Sequence, residues 1–223
     1  MEFLDTKPFP YMVTNEILPT DNAENLREDI FSIWTGHPGF FAKKDEKTTK
    51  NKWYIPQGKN KYWHTKSGAW MDTLNYLNSA PFLIRLSGLT GIPNLLPDPY
   101  LNGAGPHIIT RGGYLDVHVD FNRLFGLRRR LNLLIYLCPD WKSEWGGNLE
   151  LYTGWGELHD IIEPGMNKAV IFETSEKSFH GHPKPLRCPE DQQRISWAMY
   201  YYTQDDKPGQ PTHSTIYKDW GKK

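Results

Sequence analysis

The stretch YLDVHVDFN, residues 114–122, alternates apolar with polar side chains. Successive side chains of a β-strand point to opposite faces, so this alternation predicts one apolar face and one polar face. The polar face carries Asp116, His118 and Asp120. A strand that faces solvent would show this pattern, and so would a strand that lines a metal pocket. The rest of the chain has to distinguish the two.

Length and composition favour a globular domain that spans residues 1–223. A chain of 223 residues can bury a sizeable core, and its formal net charge of zero argues against a dedicated nucleic-acid binder. Cys138 and Cys188 are too few for a disulfide framework, which favours a reducing compartment such as the cytoplasm. We expect neither a signal peptide nor a membrane span, because no apolar run is long enough.

Residues 1–104 predict a helical and irregular N-terminal part. In TDNAENLREDIFSIW, Asp21 is the expected N-cap of a first helix, with Glu24 at capping-box spacing. A second helix is expected in GAWMDTLNYLNS, and a third begins near Pro81. Between the first two helices, residues 43–66 combine eight lysines with four aromatic residues. This segment is either a solvated surface loop or a flap over a cleft that becomes ordered when substrate binds.

Short alternating segments follow residue 104, and turn residues such as RGG, CPDW and WGGN separate them. This texture predicts a mainly β core over residues 105–204, arranged as an antiparallel sandwich or barrel. The tail, residues 205–223, is polar and is expected to be irregular.

A metal site would need a third ligand beside His118 and Asp120. His180 in SFHGHP directly follows an apolar strand segment, whereas His182 precedes Pro183 in a predicted turn. His180 is therefore the expected ligand. Two histidines and one carboxylate on one face of an octahedron leave three positions open, an arrangement typical of non-haem iron(II) oxygenases.

Further polar residues suggest a lined cavity near this site. Arg194 begins the strand segment RISWAMYYYT, where its guanidinium could hold a carboxylate through paired hydrogen bonds. Ser196 shares its face. The segment RLNLLIYL is expected to present a second lined face, formed by Arg130, Asn132, Leu134 and Tyr136. Asp116 and Arg130 are candidate substrate contacts.

The ordered series GGYLDVHVDF, LNLLIYLCPDW, WGGNLELY, EPGMNKAVIF, SFHGHP and RISWAMYYY resembles a known family. It looks like the 2-oxoglutarate- and iron(II)-dependent dioxygenases, in their prolyl-4-hydroxylase-like branch. The resemblance covers roughly residues 105–204. It implies a double-stranded β-helix, or jelly roll, with helices packed outside. It also implies iron(II), 2-oxoglutarate and dioxygen as reactants, with ascorbate as a supporting reductant.

The same resemblance assigns roles to individual residues. The implied iron ligands are His118, Asp120 and His180. Arg194 and Tyr136 match residues that bind the distal carboxylate of 2-oxoglutarate. Asn132 matches a position that lines the same pocket. Ser196, which shares the strand face of Arg194, could add a hydrogen bond there.

One departure concerns the basic residue of that pocket. Many relatives carry a lysine nearer to the second histidine, so Lys184 and Arg187 remain alternatives to Arg194.

The implied activity is hydroxylation of an unactivated C–H bond in an amino acid, a prolyl or other peptidyl group, or a small metabolite. The alternatives are a nucleic-acid demethylase on the same scaffold and a non-catalytic jelly-roll binding module. The oligomeric state is not specified by the sequence.

Overall fold

The site depends on one long strand, which spans Gly105–Val119. The structure, a computed structural model, describes residues 6–36, 41–42, 47–54, 68–206, 209–218 and 220. The sequence predicts two strands here with a turn at RGG, but the chain continues through that segment as a single strand. Gly112 has a positive φ of 74°, a conformation that glycine adopts at little cost. The glycine pair thus bends the strand without ending it.

Twelve strands and three α-helices make up the described residues. The helices are α1 (Thr20–Gly36), α2 (Ala69–Leu77) and α3 (Ala80–Thr90). The strands are β1 (Tyr11–Thr14), β2 (Phe41–Ala42), β3 (Thr49–Tyr54), β4 (Gly105–Val119), β5 (Arg123–Leu124), β6 (Leu127–Leu137), β7 (Leu149–Tyr152), β8 (Leu158–Ile162), β9 (Met166–Glu173), β10 (Phe179–His182), β11 (Arg194–Gln204) and β12 (Ile216–Lys218). No helix in these ranges is both long and apolar enough to cross a membrane.

The strands form one curled antiparallel sheet, which confirms the predicted jelly-roll architecture. Its main order is β1-β9-β6-β11-β4-β10-β7-β8. All strand pairings between described residues are antiparallel. Strands β3 and β12 also pair with β4, in addition to β10 and β11. The strand that carries His118 therefore has four pairing partners among the described residues. The curl brings β4, β6, β10 and β11 around one cavity.

The helices pack on the outer face of this sheet and bury its apolar residues. The rings of Trp70 in α2 and Trp197 in β11 meet edge to face, with centroids 4.9 Å apart. The hydroxyl of Tyr201 donates a hydrogen bond of 3.0 Å to the carbonyl oxygen of Leu77. These contacts belong to one continuous core that joins helices to β6 and β11. The expected N-terminal helical support is therefore present.

Several local expectations need correction. Helix α1 begins at Thr20, so Asp21 lies in its first turn and not at the N-cap. The third helix does begin as predicted, with Ser79 as N-cap and Pro81 in the first turn. The expected tail is not wholly irregular, because Ile216–Lys218 pairs with β4.

The segment 43–66 also differs from the expected loop. Residues 49–54 form β3, which pairs with β4 over Thr49–Tyr54. It pairs with β4 through its backbone, and Lys52 within it lines both cavities described below. Residues 43–46 and 55–66 lie outside the described residues, so the flap hypothesis stays a prediction for them.

The contact between Trp197 and the helices predicts a large effect on stability. Replacing Trp197 with Ala should lower the free energy of unfolding by about 3–5 kcal/mol, since it opens a cavity in a fully buried core. Urea unfolding followed by circular dichroism would measure this loss. Trp155 is 91% exposed and serves as the matched control. Trp155→Ala should change stability by less than about 0.5 kcal/mol, and an equal loss in both variants would contradict the assignment of Trp197 to the core.

Candidate active site

His118, Asp120 and His180 converge at one end of the cavity. His180 on β10 lies directly opposite His118 on β4 in the strand register, and Asp120 follows the last residue of β4. One ligand atom from each residue can be chosen so that all three lie within 4.8 Å of one another. Oδ1 of Asp120 lies 3.6 Å from Nε2 of His118, and Oδ2 lies 3.5 Å from Nε2 of His180. The structure thus brings together the three residues that the sequence selected.

Both imidazole rings are oriented by the backbone. Nδ1 of His118 lies 2.8 Å from the carbonyl oxygen of Asp116, and Nδ1 of His180 lies 2.9 Å from that of Ser178. A carbonyl oxygen can only accept, so each Nδ1 carries the proton and donates it. Each Nε2 is left with a lone pair that faces the other ligands. A neutral imidazole with its second nitrogen anchored in this way is the form that binds a metal ion.

The protonation states of the cluster also suit a divalent cation. Burial and the neighbouring His118 lower the pKa of His180 to about 4. Burial alone would raise the pKa of Asp120, but the Arg129 guanidinium and the two histidines hold it well below its usual range. At neutral pH, His180 is therefore neutral and Asp120 is ionised. These are the forms in which the two side chains bind metals.

Two residues from β6 fix the carboxylate of Asp120. Nη2 of Arg129 donates to Oδ2 of Asp120 over 3.1 Å, and Nδ2 of Asn132 donates to the same oxygen over 2.6 Å. Nε of Arg129 in turn donates to Oδ1 of Asn132 over 2.9 Å. The guanidinium of Arg129 also lies over the rings of Phe121 and Tyr200. Asp120 is thereby held in one orientation.

The position of Arg129 corrects an expectation about β6. Alternation along the strand predicts that Arg130 shares the cavity face with Asn132. In the structure, Leu131 lies opposite Tyr201 and Arg129 lies opposite Tyr202, so Arg130 is the extra residue of a β-bulge. Arg130 instead pairs with Glu173, with Nη2 and Oε1 3.4 Å apart. Sequence reasoning missed Arg129 because a bulge reverses the alternation without leaving a sequence signal.

A candidate carboxylate-binding group lies in the same cavity. Arg194 is buried, donates from Nε to the carbonyl oxygen of Gly147 over 2.6 Å, and donates from Nη2 to the hydroxyl oxygen of Tyr136 over 3.2 Å. Ser196 lines the cavity beside it. Burial raises the pKa of Tyr136, so its hydroxyl stays protonated and can donate. This arrangement offers a fixed cation and hydroxyl donors at one place.

The alternatives to Arg194 lie elsewhere. The Lys184 side chain is 68% exposed and its Nζ lies 3.7 Å from Oε1 of Glu150. Arg187 is exposed as well. Neither residue lines the cavity that contains His118 and His180. The geometry therefore favours Arg194 as the group that could hold a carboxylate.

Asp116, a candidate substrate contact, has a different position. Its side chain is buried and is not among the residues that line the cavity. Its backbone carbonyl oxygen nevertheless accepts the hydrogen bond that orients His118.

A second cavity, of about 250 Å³, adjoins the inner one. The two cavities share six lining residues: Lys52, His107, Leu115, His118, Asp120 and Tyr200. The residues that line only the second cavity come from several parts of the chain: Tyr54, Gly103, Phe121, Thr215 and Tyr217. The ring centroids of Tyr217 and His118 lie 5.4 Å apart. Lys52 and Tyr54 belong to the segment 43–66, which the sequence marked as a possible flap over a cleft. The sequence did not single out Tyr217, because β12 is embedded in a polar tail.

Comparisons with known proteins place this geometry in context. Mouse prolyl 3-hydroxylase OGFOD1 is 35% identical over 79 residues, which are 33% of this chain and 14% of that protein. The chain thus spans only a small part of that relative.

Solved structures with the same fold include a Pseudomonas putida prolyl-4-hydroxylase (TM-score 0.59, 15% identity, 90% of this chain and 95% of that one). A Trichoplax adhaerens prolyl hydroxylase in complex with a hypoxia inducible factor peptide fragment gives a TM-score of 0.61 at 17% identity. The alignment covers 86% of this chain and 83% of that one. HygX from Streptomyces hygroscopicus, with nickel and 2-oxoglutarate bound, gives a TM-score of 0.57 at 11% identity. The alignment covers 87% of this chain and 83% of that one.

The family model described as the 2OG-Fe(II) oxygenase superfamily matches residues 104–202. These residues include β4, β10 and nearly all of β11, together with the His118, Asp120 and His180 cluster. The strand-rich core of this chain is therefore similar to the 2OG-Fe(II) oxygenase superfamily.

Proposed function

We propose that this protein is an iron(II)- and 2-oxoglutarate-dependent dioxygenase that hydroxylates an unactivated C–H bond. One observation carries the proposal: the His118, Asp120 and His180 cluster lines the same cavity as Arg194, which is hydrogen-bonded to Tyr136. A metal-ligand cluster alone would serve many reactions, and a buried arginine alone could serve structure. A keto acid that binds a metal at one end and a cation at the other needs both.

The residues present fit an iron(II) ion. Two Nε2 atoms with free lone pairs and an ionised carboxylate form a two-histidine, one-carboxylate donor set, which leaves open positions on the metal. Bound iron(II) would supply the activation of dioxygen, coupled to oxidative decarboxylation of 2-oxoglutarate to succinate and carbon dioxide. The chain contributes the orientation of the ligands, through the backbone carbonyls and through Arg129 and Asn132.

The cosubstrate would lie with its distal carboxylate against Arg194. Hydrogen bonds from the Tyr136 and Ser196 hydroxyls to that carboxylate are proposed in addition. Asn132 lines the cavity, but its described hydrogen bonds go to Asp120, Arg129 and Thr174. We therefore propose that Asn132 orients Asp120, in place of the cosubstrate contact expected from the sequence.

The substrate would enter through the outer cavity. Tyr54, Phe121, Tyr200 and Tyr217 provide aromatic walls next to the metal cluster, and Lys52 adds a cation. Such walls suit a small ring or an aliphatic side chain of an amino acid, a peptidyl group or a metabolite. The name of the mouse relative supports a prolyl group within this range. Incubation with iron(II), 2-oxoglutarate and candidate substrates tests the proposal: we expect succinate and a product heavier by one oxygen.

A location in the cytoplasm is part of the proposal. Its support is that Cys138 and Cys188 are both free and buried, as expected for a protein in a reducing compartment.

The first prediction concerns the metal. Replacing His180 with Ala removes one of three ligands and should weaken manganese(II) or iron(II) binding by more than about a hundredfold, because even residues behind the ligands are worth 10–100-fold. Isothermal titration calorimetry would measure the affinity. The matched control is His182→Ala, which should retain the metal affinity because His182 is outside the cluster. The reverse result would show that His182 is the ligand.

The second prediction concerns Arg194. A truncated partner of a buried charged pair typically costs about 2–5 kcal/mol. Arg194→Ala should therefore raise the apparent Michaelis constant for 2-oxoglutarate about a hundredfold. Rates of succinate formation at varied 2-oxoglutarate concentration would measure this constant. Arg187→Ala provides the control and should leave this constant unchanged. A larger effect of Arg187→Ala than of Arg194→Ala would show that the carboxylate binds at Arg187 and not at Arg194.

The third prediction uses the two glycines that precede β7. Both have positive φ, but a Cβ at Gly147 would lie 3.0 Å from Cδ of Arg194 and 2.4 Å from Leu186, whereas a Cβ at Gly146 would meet nothing within 4 Å. Gly147→Ala should therefore displace Arg194 and weaken 2-oxoglutarate binding more than Gly146→Ala does. Titration of both manganese-loaded variants measures this. Equal affinities would indicate that only backbone strain matters.

A further inference from the structure

His182 is a buried polar residue to which the proposed mechanism gives no role. It lies two residues after His180 on β10, is 3% exposed, and lines the inner cavity. Neither ring nitrogen has a hydrogen-bond partner within the described part of the chain. Buried polar atoms without partners are uncommon and costly, so each such atom in a cavity wall points to a ligand.

The position of His182 excludes a role as a metal ligand. The cluster whose donor atoms lie within 4.8 Å of one another contains His118, Asp120 and His180, without His182. A register shift between His180 and His182 places the latter opposite Leu115, away from His118. The ring therefore lies toward the carboxylate-binding end of the cavity.

The charges around His182 indicate what it can bind. Burial lowers the pKa of the His182 ring well below its usual range, and the nearby positive charges of Arg194 and Lys52 lower it further. Both ring nitrogens lack a partner within the described residues, and an imidazole carries at least one N–H donor in either protonation state. An N–H donor beside a fixed guanidinium complements an anion. The groups that line the inner cavity then offer a carboxylate a cation at Arg194, a hydroxyl at Ser196 and a ring N–H at His182.

We propose that His182 donates a hydrogen bond to the distal carboxylate of the cosubstrate, beside Arg194. This inference rests on the proposed function. It makes His182 a residue that determines specificity for a dicarboxylate, because a keto acid without the second carboxylate would leave the N–H unpaired. An unpaired buried donor is the penalty by which a site rejects a ligand that lacks the matching group.

The test compares two ligands on three proteins. Manganese(II)-loaded wild type, His182→Leu and His182→Gln are titrated with 2-oxoglutarate and with 2-oxopentanoate, which lacks the distal carboxylate. Leu approximates the size of the ring without polar atoms, and Gln restores an N–H donor. Manganese affinity and the unfolding temperature of the ligand-free proteins are measured alongside.

We expect His182→Leu to bind 2-oxoglutarate about tenfold more weakly or worse, the scale of one hydrogen bond to a charged group. Its affinity for 2-oxopentanoate should not change, and His182→Gln should recover part of the loss. Manganese affinity should be equal in all three proteins. The ligand-free Leu variant should unfold at the same or a higher temperature, because it no longer buries unpaired polar atoms.

Four results would overturn the inference. Equal binding of 2-oxoglutarate by wild type and His182→Leu would show that the ring makes no contact. Equal losses for both keto acids would reduce its role to packing, as would a Gln variant that binds no better than the Leu variant. If the wild-type protein binds manganese(II) but no 2-oxoglutarate, both the proposed function and the role of His182 are wrong. If the wild-type protein binds 2-oxoglutarate and only the His182 variants depart from expectation, the proposed function stands and only the role of His182 is wrong.

Discussion

The antiparallel pairing of β10 with β4 is the constraint on which the site depends. It sets His180 directly opposite His118, and the two imidazoles then share one face of the sheet with Asp120. A slip of one residue would turn every side chain of β10 to the opposite face, and the cluster would lose its third member. The register is specified by burial: all four residues of β10 are buried, and β7 pairs with its other edge.

The rest of the cavity is arranged around this pairing. Strand β11 pairs with β4 further along and places Arg194 opposite Ile109, so the carboxylate-binding group is carried by a direct neighbour of the metal strand. On its other edge, β11 pairs with β6 and sets Ser196 opposite Tyr136. The helices pack against the outer face, where Trp197 and Tyr201 alternate with the residues that line the cavity. One strand thus serves the core and the site at once.

Alternation in the sequence predicted much of this arrangement, and irregularities account for what it missed. His118 and Asp120 share a face because a regular strand has a period of two, and the same rule paired Arg194 with Ser196. The β-bulge at Arg130 breaks the rule, so Arg129 could not be found by counting. Strand β3 was hidden in a lysine-rich segment, because its stability comes from pairing with β4 and not from its own composition. The approach of β10 to β4 is a long-range contact that local pattern cannot specify, and only the ordered series of motifs indicated it.

The walls of the outer cavity are contributed by residues as far apart in the chain as Lys52 and Tyr217. Tyr217 sits on β12, which pairs with β4 beside His118. During synthesis, the last of the three ligand residues emerges with residue 180, whereas the last wall of the outer cavity emerges only with residue 217. The nascent chain therefore carries all three ligand residues before it carries every wall of the outer cavity.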